Sequence, residues 1–353
     1  MKILLNILKL HIFLIRSLIG DFILKRILAA SSLLLCMTML LLFPSEALTY
    51  TLTGLTLWWE RMIPALFPFM MMSQLLICFD LIPVFLMLFR PILKILYRLP
   101  DAGLYSILIG FLCGFPMGAK TVADLQHRGQ LSLSMAQTLL NFCNQIGPVY
   151  FISFAYPILH RICPAFPLPA ALMGMYGIPL CFGIKEVFLL NQSLSSQTSC
   201  ALSAAESTGG FPTVTEPNFD AIVTGNLIAI SRLAGYMMFF PVFLVALECF
   251  PQALQHTRSF LYLKSLFYLL LEITGGLSFL SGLLQDGKAA ITLPPAILGV
   301  FWMGALQFGG LSCLFQTKSM IRGTSLSLGS YLKARIKMTL LCVIFCAVSS
   351  FCW

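Results

Sequence analysis

Two long apolar stretches of this chain are broken by glycine in the same way, once in each half. The first half reads Gly110-Phe-Leu-Cys-Gly-Phe-Pro-Met-Gly-Ala-Lys120 and then Asn141-Phe-Cys-Asn-Gln-Ile-Gly-Pro148. The second reads Leu271-Glu-Ile-Thr-Gly-Gly276 and then Leu306-Gln-Phe-Gly-Gly-Leu-Ser-Cys313. A helix broken in lipid strands backbone groups at several kcal/mol each, so protein or a wet cavity must satisfy them. Paired breaks at corresponding places point to the binding site of a transporter-like scaffold.

The flanking composition fixes the solvent. Of 353 residues, 59% are hydrophobic and only 10% charged, and apolar runs long enough to span a bilayer recur along the whole length. The runs are continuous and do not alternate, so a β-barrel is excluded and a polytopic helical membrane protein expected. The net charge of +9 lies at segment ends, which argues against nucleic acid. The 12 cysteines form no CxxC pair and read as small apolar residues, with no metal site. No HExxH, GxSxG, P-loop or paired-aspartate motif occurs, so no catalytic residues are assigned. The expected cofactor list is empty apart from a coupling ion, H+ or Na+.

The segments fall into order. Residues 1–50 hold a basic amphipathic arm (1–26) and a first span (27–43). Residues 51–190 form a first repeat, with a segment opening at Trp58-Trp59, a flat basic helix over 81–99 and a broken hairpin over 103–129. Spans over 131–159, broken at Gly147-Pro148, and 168–190 complete it. Residues 191–218 read as a polar cytoplasmic linker. Residues 219–353 form a second repeat, with a span over 221–250, a hairpin over 260–285 turning at Thr274-Gly275-Gly276, a broken span over 295–316 and a last span over 338–351. With the N-terminus in the cytoplasm, only Arg61, Arg161, Arg258, Lys264 and Lys288 lie on the far side, with Arg232 inside a span. The two hairpins then face opposite sides. The expected fold is all-α, with two inverted-topology repeats, each holding a re-entrant hairpin and a broken transmembrane helix. The lipid bilayer is its surroundings, and a homo-oligomer is compatible with the sequence.

Candidate substrate residues cluster at the breaks. Ser134, Gln137, Asn141 and Asn144 make one polar stripe ending at the first break, either a substrate face or polar glue between helices. Gly114, Pro116 and Gly118 give a hairpin tip, and Lys120 adds a cation, either for an anion or for an i,i+4 pair with Asp124. Glu272 precedes Thr274 and Gly275 in the second hairpin, as a functional carboxylate or a cap on the next half-helix. Gln307, Gly309 and Gly310 mark the second broken span. Arg232 either meets an anion or snorkels to the membrane edge.

The residues Gly54-Leu-Thr-Leu-Trp-Trp59, Pro64-Ala-Leu-Phe-Pro-Phe69, Gly114 to Lys120, Asn141 to Pro148, Leu271 to Gly275 and Phe308 to Ser312 with Gln316 resemble the sporulation integral membrane protein family YlbJ/SpoVV. That family belongs to the nucleoside-recognition gate group, itself similar to concentrative nucleoside transporters. The resemblance covers residues 50–337. It implies transport of dipicolinic acid across the outer forespore membrane, from the mother cell, during endospore formation. Dipicolinate is a dianion, which suits Lys120, Arg232 and the half-helix N-termini. A nucleoside or nucleobase carrier and a non-transporting scaffold for spore-envelope assembly are the alternative readings.

Overall fold

The computed structural model describes residues 26–27, 30–31, 33–164, 166–200, 219–285 and 294–351, and among these it is helical with no strand. Four helices are long and apolar enough to cross a membrane: Pro44–Cys78, Leu168–Gln192, Phe219–Cys249 and Pro295–Met320. Their exposed faces carry large apolar side chains such as Leu52, Phe69, Phe239 and Phe301, as expected of surfaces that meet lipid. The protein is a multi-pass integral membrane protein. The basic arm over residues 1–25 and the part of the linker over 201–218 lie outside the described residues.

The first long rod differs from the sequence reading. A short helix α1 (Leu33–Leu42) stops at Phe43. Helix α2 (Pro44–Leu57), a π-helical turn at Trp58–Met62 and α3 (Ile63–Cys78) then run on without interruption. Trp58-Trp59 therefore lies within the rod rather than opening it. Trp58 Nε1 donates to the Ile230 carbonyl at 2.9 Å, which pins the π turn to a later helix. The flat helix expected over 81–99 is two short ones, α4 (Ile82–Leu86) and α5 (Arg90–Tyr97). Axes α5 and α6 (Asp101–Cys113) meet at 105°.

Each half then builds a pair of short helices that fold back on each other beside a broken span. In the first, α6 and α7 (Met117–His127) pack together across the turn Gly114–Pro116. They rest on α8 (Leu133–Cys143), whose helix ends at the break Asn144–Gly147. Beyond the break come α9 (Pro148–Tyr150), a π-helical turn at Phe151–Ala155 and α10 (Tyr156–Ile162). Helix α11 (Leu168–Leu172), a third π turn at Met173–Gly177 and α12 (Ile178–Cys200) follow, so the expected linker begins as helix up to residue 200.

The second half starts with α13 (Phe219–Val242) and a 3-10 segment at Phe243–Cys249, then a single turn, α14 (Gln252–Gln255). Helices α15 (Arg258–Leu271) and α16 (Ile273–Gln285) fold back at Glu272. The break falls three residues before the expected Gly275, because the Glu272 carboxylate caps the new helix and the two glycines serve close packing inside it. The broken span is α17 (Pro295–Phe308) and α18 (Gly310–Met320), joined at Gly309. Gly309 and Gly310 have φ of 89° and 75°, a region that favours glycine. The last helix, α19 (Leu328–Phe351), starts ten residues before the expected span and packs on both α8 and α17.

Small residues set how closely the first hairpin meets its break. Gly110, Gly114 and Gly118 recur at i, i+4, i+8. A Cβ on Gly110 would run into the Cys143 carbonyl, and one on Gly118 would sit 2.9 Å from Asn144 Cα. This is backbone-to-backbone contact of the small-xxx-small kind used between helices in lipid. The Phe115 amide donates to the Gln145 carbonyl at 2.7 Å across the same contact. Gly110→Val forces the helices apart and is expected to cost about 1–3 kcal/mol. A lowered thermal midpoint in detergent would register it, whereas an unchanged midpoint would contradict this packing.

Candidate functional site

A cavity of about 400 Å³ lies where the turns and breaks of the two halves converge. Cys113 and Phe115 come from the first turn, and Ile146 and Gly147 from the first break. Glu272, Ile273 and Thr274 come from the second turn, and Gly309, Ser312 and Gln316 from the second broken span. The π turn of the first rod contributes Arg61 and Met62, and the π turn after α9 contributes Ser153 and Phe154. Such turns widen a helix by one residue and frequently mark functional sites. Phe69, Phe115, Tyr150 and Phe154 give the cavity aromatic walls.

The backbone groups stranded by the breaks are satisfied by protein. On the carbonyl side the agent is Arg335 of α19, which is fully buried. Its Nη1 donates to the Asn144 carbonyl at 3.1 Å and to Gln145 Oε1 at 2.6 Å. Its Nε and Nη2 each donate to the Phe308 carbonyl at 3.3 Å. Both carbonyls lie at helix C-terminal ends, where the partial negative charge favours a cation. Among the described residues no carboxylate pairs with Arg335, so two helix ends and an amide oxygen stand in for one. The planar guanidinium also lies over the Tyr331 ring, 5.8 Å from its centroid.

The amide side is handled separately in each half. Asn144 Oδ1 accepts from the Ala119 amide at 3.3 Å, capping α7. Its Nδ2 donates to Thr317 Oγ1 at 3.0 Å and to the Tyr331 hydroxyl at 3.1 Å. Glu272 caps α16 itself, accepting from the Thr274 amide at 3.1 Å and the Gly275 amide at 2.5 Å. A carboxylate there also complements the helix dipole.

Of the residues singled out in the sequence, Glu272, Thr274 and Gly309 line the cavity. The polar stripe on α8 is glue to α19. Gln137 accepts from the Ser327 amide at 2.7 Å, and Asn141 donates to Ser330 Oγ at 3.3 Å. Gln307 donates to Gln145 Oε1 at 3.3 Å behind the cavity, and its own oxygen is buried without a partner. Lys120 pairs with Asp124 at 2.8 Å and donates to Gln74. Gly114, Pro116 and Gly118 shape the first turn. Gly275 packs against the Tyr268 ring, and Gly310 packs against the carbonyls that end α15. Arg232 is exposed on α13, whereas its neighbours Leu233 and Met237 face the cavity, so it stands outside the site.

Two functional residues escaped the sequence reading. Arg335 had been grouped with the basic stretch before the last span. Yet Tyr331, Arg335, Met338, Cys342 and Cys346 are all buried on one helical face, and that spacing is readable in the chain. Arg61 at the cavity was counted only as a charge flanking a span. Its guanidinium lies over the Phe154 ring, 5.6 Å from the centroid. The Tyr150 hydroxyl nearby is buried with no hydrogen-bond partner.

Residues 59–157 match the family described as Gate, nucleoside recognition. The chain carries a nucleoside-recognition Gate domain. It is also 32% identical over 124 residues to a Bacillus subtilis (strain 168) protein named sporulation integral membrane protein YlbJ. That match covers 35% of this chain and 30% of the relative, and it supports the resemblance to the YlbJ family. No solved structure matches. The Gate domain contains Arg61, the first hairpin, the first break, Tyr150 and Phe154. Glu272, the second break and Arg335 come from outside it, so the cavity is completed by the rest of the chain.

Arg335→Met keeps the length of the side chain but strands the Asn144 and Phe308 carbonyls and Gln145 Oε1. At about 1–3 kcal/mol for each buried group left unpaired, it should lower the thermal midpoint sharply. Arg335→Lys should recover only part of the loss, since a single ammonium lacks the fork that reaches both helix ends. Wild-type melting of the Met variant would exclude the bridging role.

Proposed function

We propose that this chain is a secondary transporter moving a small planar anion, dipicolinate first, across the outer forespore membrane during sporulation. The observation that carries the proposal is the cavity itself: an aromatic-walled chamber at the meeting of two helix turns and two broken spans, with Arg61 on its wall. An aromatic dicarboxylate would lay its ring against Phe115, Tyr150 or Phe154. Arg61 would take a carboxylate in a two-pronged, charge-assisted contact. The name of the Bacillus subtilis relative supports a role in sporulation. In this reading the halves are inverted repeats, the folded-back helix pairs are re-entrant hairpins, and the N-terminus is cytoplasmic. Alternating access then exposes the cavity to each side in turn. Glu272 supplies the carboxylate for coupling to H+ or Na+.

A nucleoside is the competing substrate, favoured by the matched family's description and by walls that would stack a base as readily as a pyridine ring. Vesicles loaded with radiolabelled dipicolinate separate the readings. Efflux should be inhibited by excess dipicolinate and be indifferent to uridine and adenosine. Arg61→Gln should weaken apparent affinity about tenfold or more, as loss of a charged hydrogen bond implies. Inhibition by nucleosides with an unaltered Arg61→Gln variant would favour the nucleoside carrier. Absence of flux from folded, inserted protein for all three solutes would favour a scaffold in spore-envelope assembly.

A further inference from the structure

Helix α5 presents three kinds of surface. Tyr97 is buried, donating its hydroxyl to the Leu180 carbonyl at 3.2 Å and stacking on Phe142, which fastens the helix to the body of the protein. Around the helix from Tyr97 come Arg90, Lys94 and Arg98, one basic strip. Beyond them Ile92 and Ile95 are exposed, Ile95 by 77%. The preceding turn adds Val84 and Met87, which are exposed as well. A shallow groove between the basic strip and this apolar surface is lined by Pro83, Val84, Met87, Arg90, Pro91 and Lys94.

Water would penalise such an apolar surface, and pure hydrocarbon would penalise the cations. The boundary between headgroups and acyl chains suits both. The 105° turn from α5 into α6 is the geometry of a helix that leaves a membrane-inserted arm to lie along that boundary. Arg90 gives its Nε to Asp101 at 3.0 Å, so one of the three cations is locally compensated. Lys94 and Arg98 have no acidic partner among the described residues, leaving a net positive groove beside an apolar floor.

We infer that this groove is a binding site for an anionic phospholipid. The phosphate sits against Lys94 and Arg98, with the free Nη groups of Arg90 at its edge. An acyl chain runs over Val84, Met87 and the exposed isoleucines. Because α5 leads directly into α6 and the first turn, a lipid held here is attached to one wall of the cavity.

Native mass spectrometry of the full chain, exchanged from detergent into mixed micelles, tests the assignment. Phosphatidylglycerol should stay bound in preference to phosphatidylcholine, and 0.5 M salt should strip it, since surface charge contacts are screened within a few ångströms at such ionic strength (on the order of 3–10 Å). Removing charges in Lys94→Gln with Arg98→Gln should cut phosphatidylglycerol retention about fivefold per charge. Equal retention of both lipids, or retention indifferent to salt, would overturn the inference with wild-type protein alone. So would a folded double variant that holds phosphatidylglycerol as tightly as wild type. Displacement of the lipid by millimolar inorganic phosphate would also overturn it, by showing an anion site that ignores the acyl chains.

Discussion

The contact on which the rest of this structure depends is that of one guanidinium with two helix ends. A broken helix inside a membrane is tolerated only if something donates to its last carbonyls. Here two such breaks face each other, and Arg335 donates to both, through Asn144 on one side and Phe308 on the other. A charged side chain at that depth would be costly alone. The cost is offset because each helix end brings its own partial negative charge and Gln145 contributes a further acceptor at 2.6 Å. The breaks and the arginine make each other possible, and neither has a stable place without the other.

This arrangement decides the character of the cavity. Side chains that look suited to a substrate, such as Asn141, Asn144, Gln137 and Gln307, are turned away and used to hold helices to one another. The chamber keeps aromatic walls and a few polar groups at its edges, the usual make-up of a small-molecule site. Its polarity comes largely from elements whose backbone is itself unusual. Arg61 rides on a π turn of the first rod, Ser153 on the π turn after α9, and Glu272 on the turn between α15 and α16. Glu272 also has a structural duty, since its carboxylate oxygens receive the first amides of α16.

Much of this was legible before the structure. Glycine and proline inside apolar runs located the turn at Gly114–Pro116, the break before Pro148 and the break at Gly309, because a helix breaker acts locally whatever surrounds it. The second turn was misplaced by three residues: Gly275 and Gly276 were read as breakers, but they sit inside α16 for close approach to Tyr268 and Leu269. The role of the polar stripe was open from sequence, because a substrate face and a helix-to-helix seam have the same spacing, and only the position of α19 chooses between them. Arg335 was hidden by its neighbours. Lys333 and Lys337 make its segment look like a solvated basic flank, and the buried stripe from Tyr331 to Cys346 emerges only when helix periodicity is followed through the charges.

The bridge also limits how the protein could move if the cavity opens alternately to its two sides. Separating α8 from α17 would strip Arg335 of its acceptors on one side and leave buried carbonyls unpaired, at about 1–3 kcal/mol for each group. Moving them together with α19 costs none of those bonds. The opposite wall is joined internally in the same way: Gly54 lies directly on the Met237 backbone, and Trp58 is bonded to Ile230, so α2, α3 and α13 form a second unit. Side-chain bonds between the two units are sparse in the region described, chiefly Tyr105 to Ser73 and Lys120 to Gln74. A sliding surface between these units passes beside the cavity, with Arg61 on one flank and the two breaks on the other. The residue that would meet the substrate and the backbone that would enclose it therefore belong to different bodies, which is the condition for a site that can open without being taken apart.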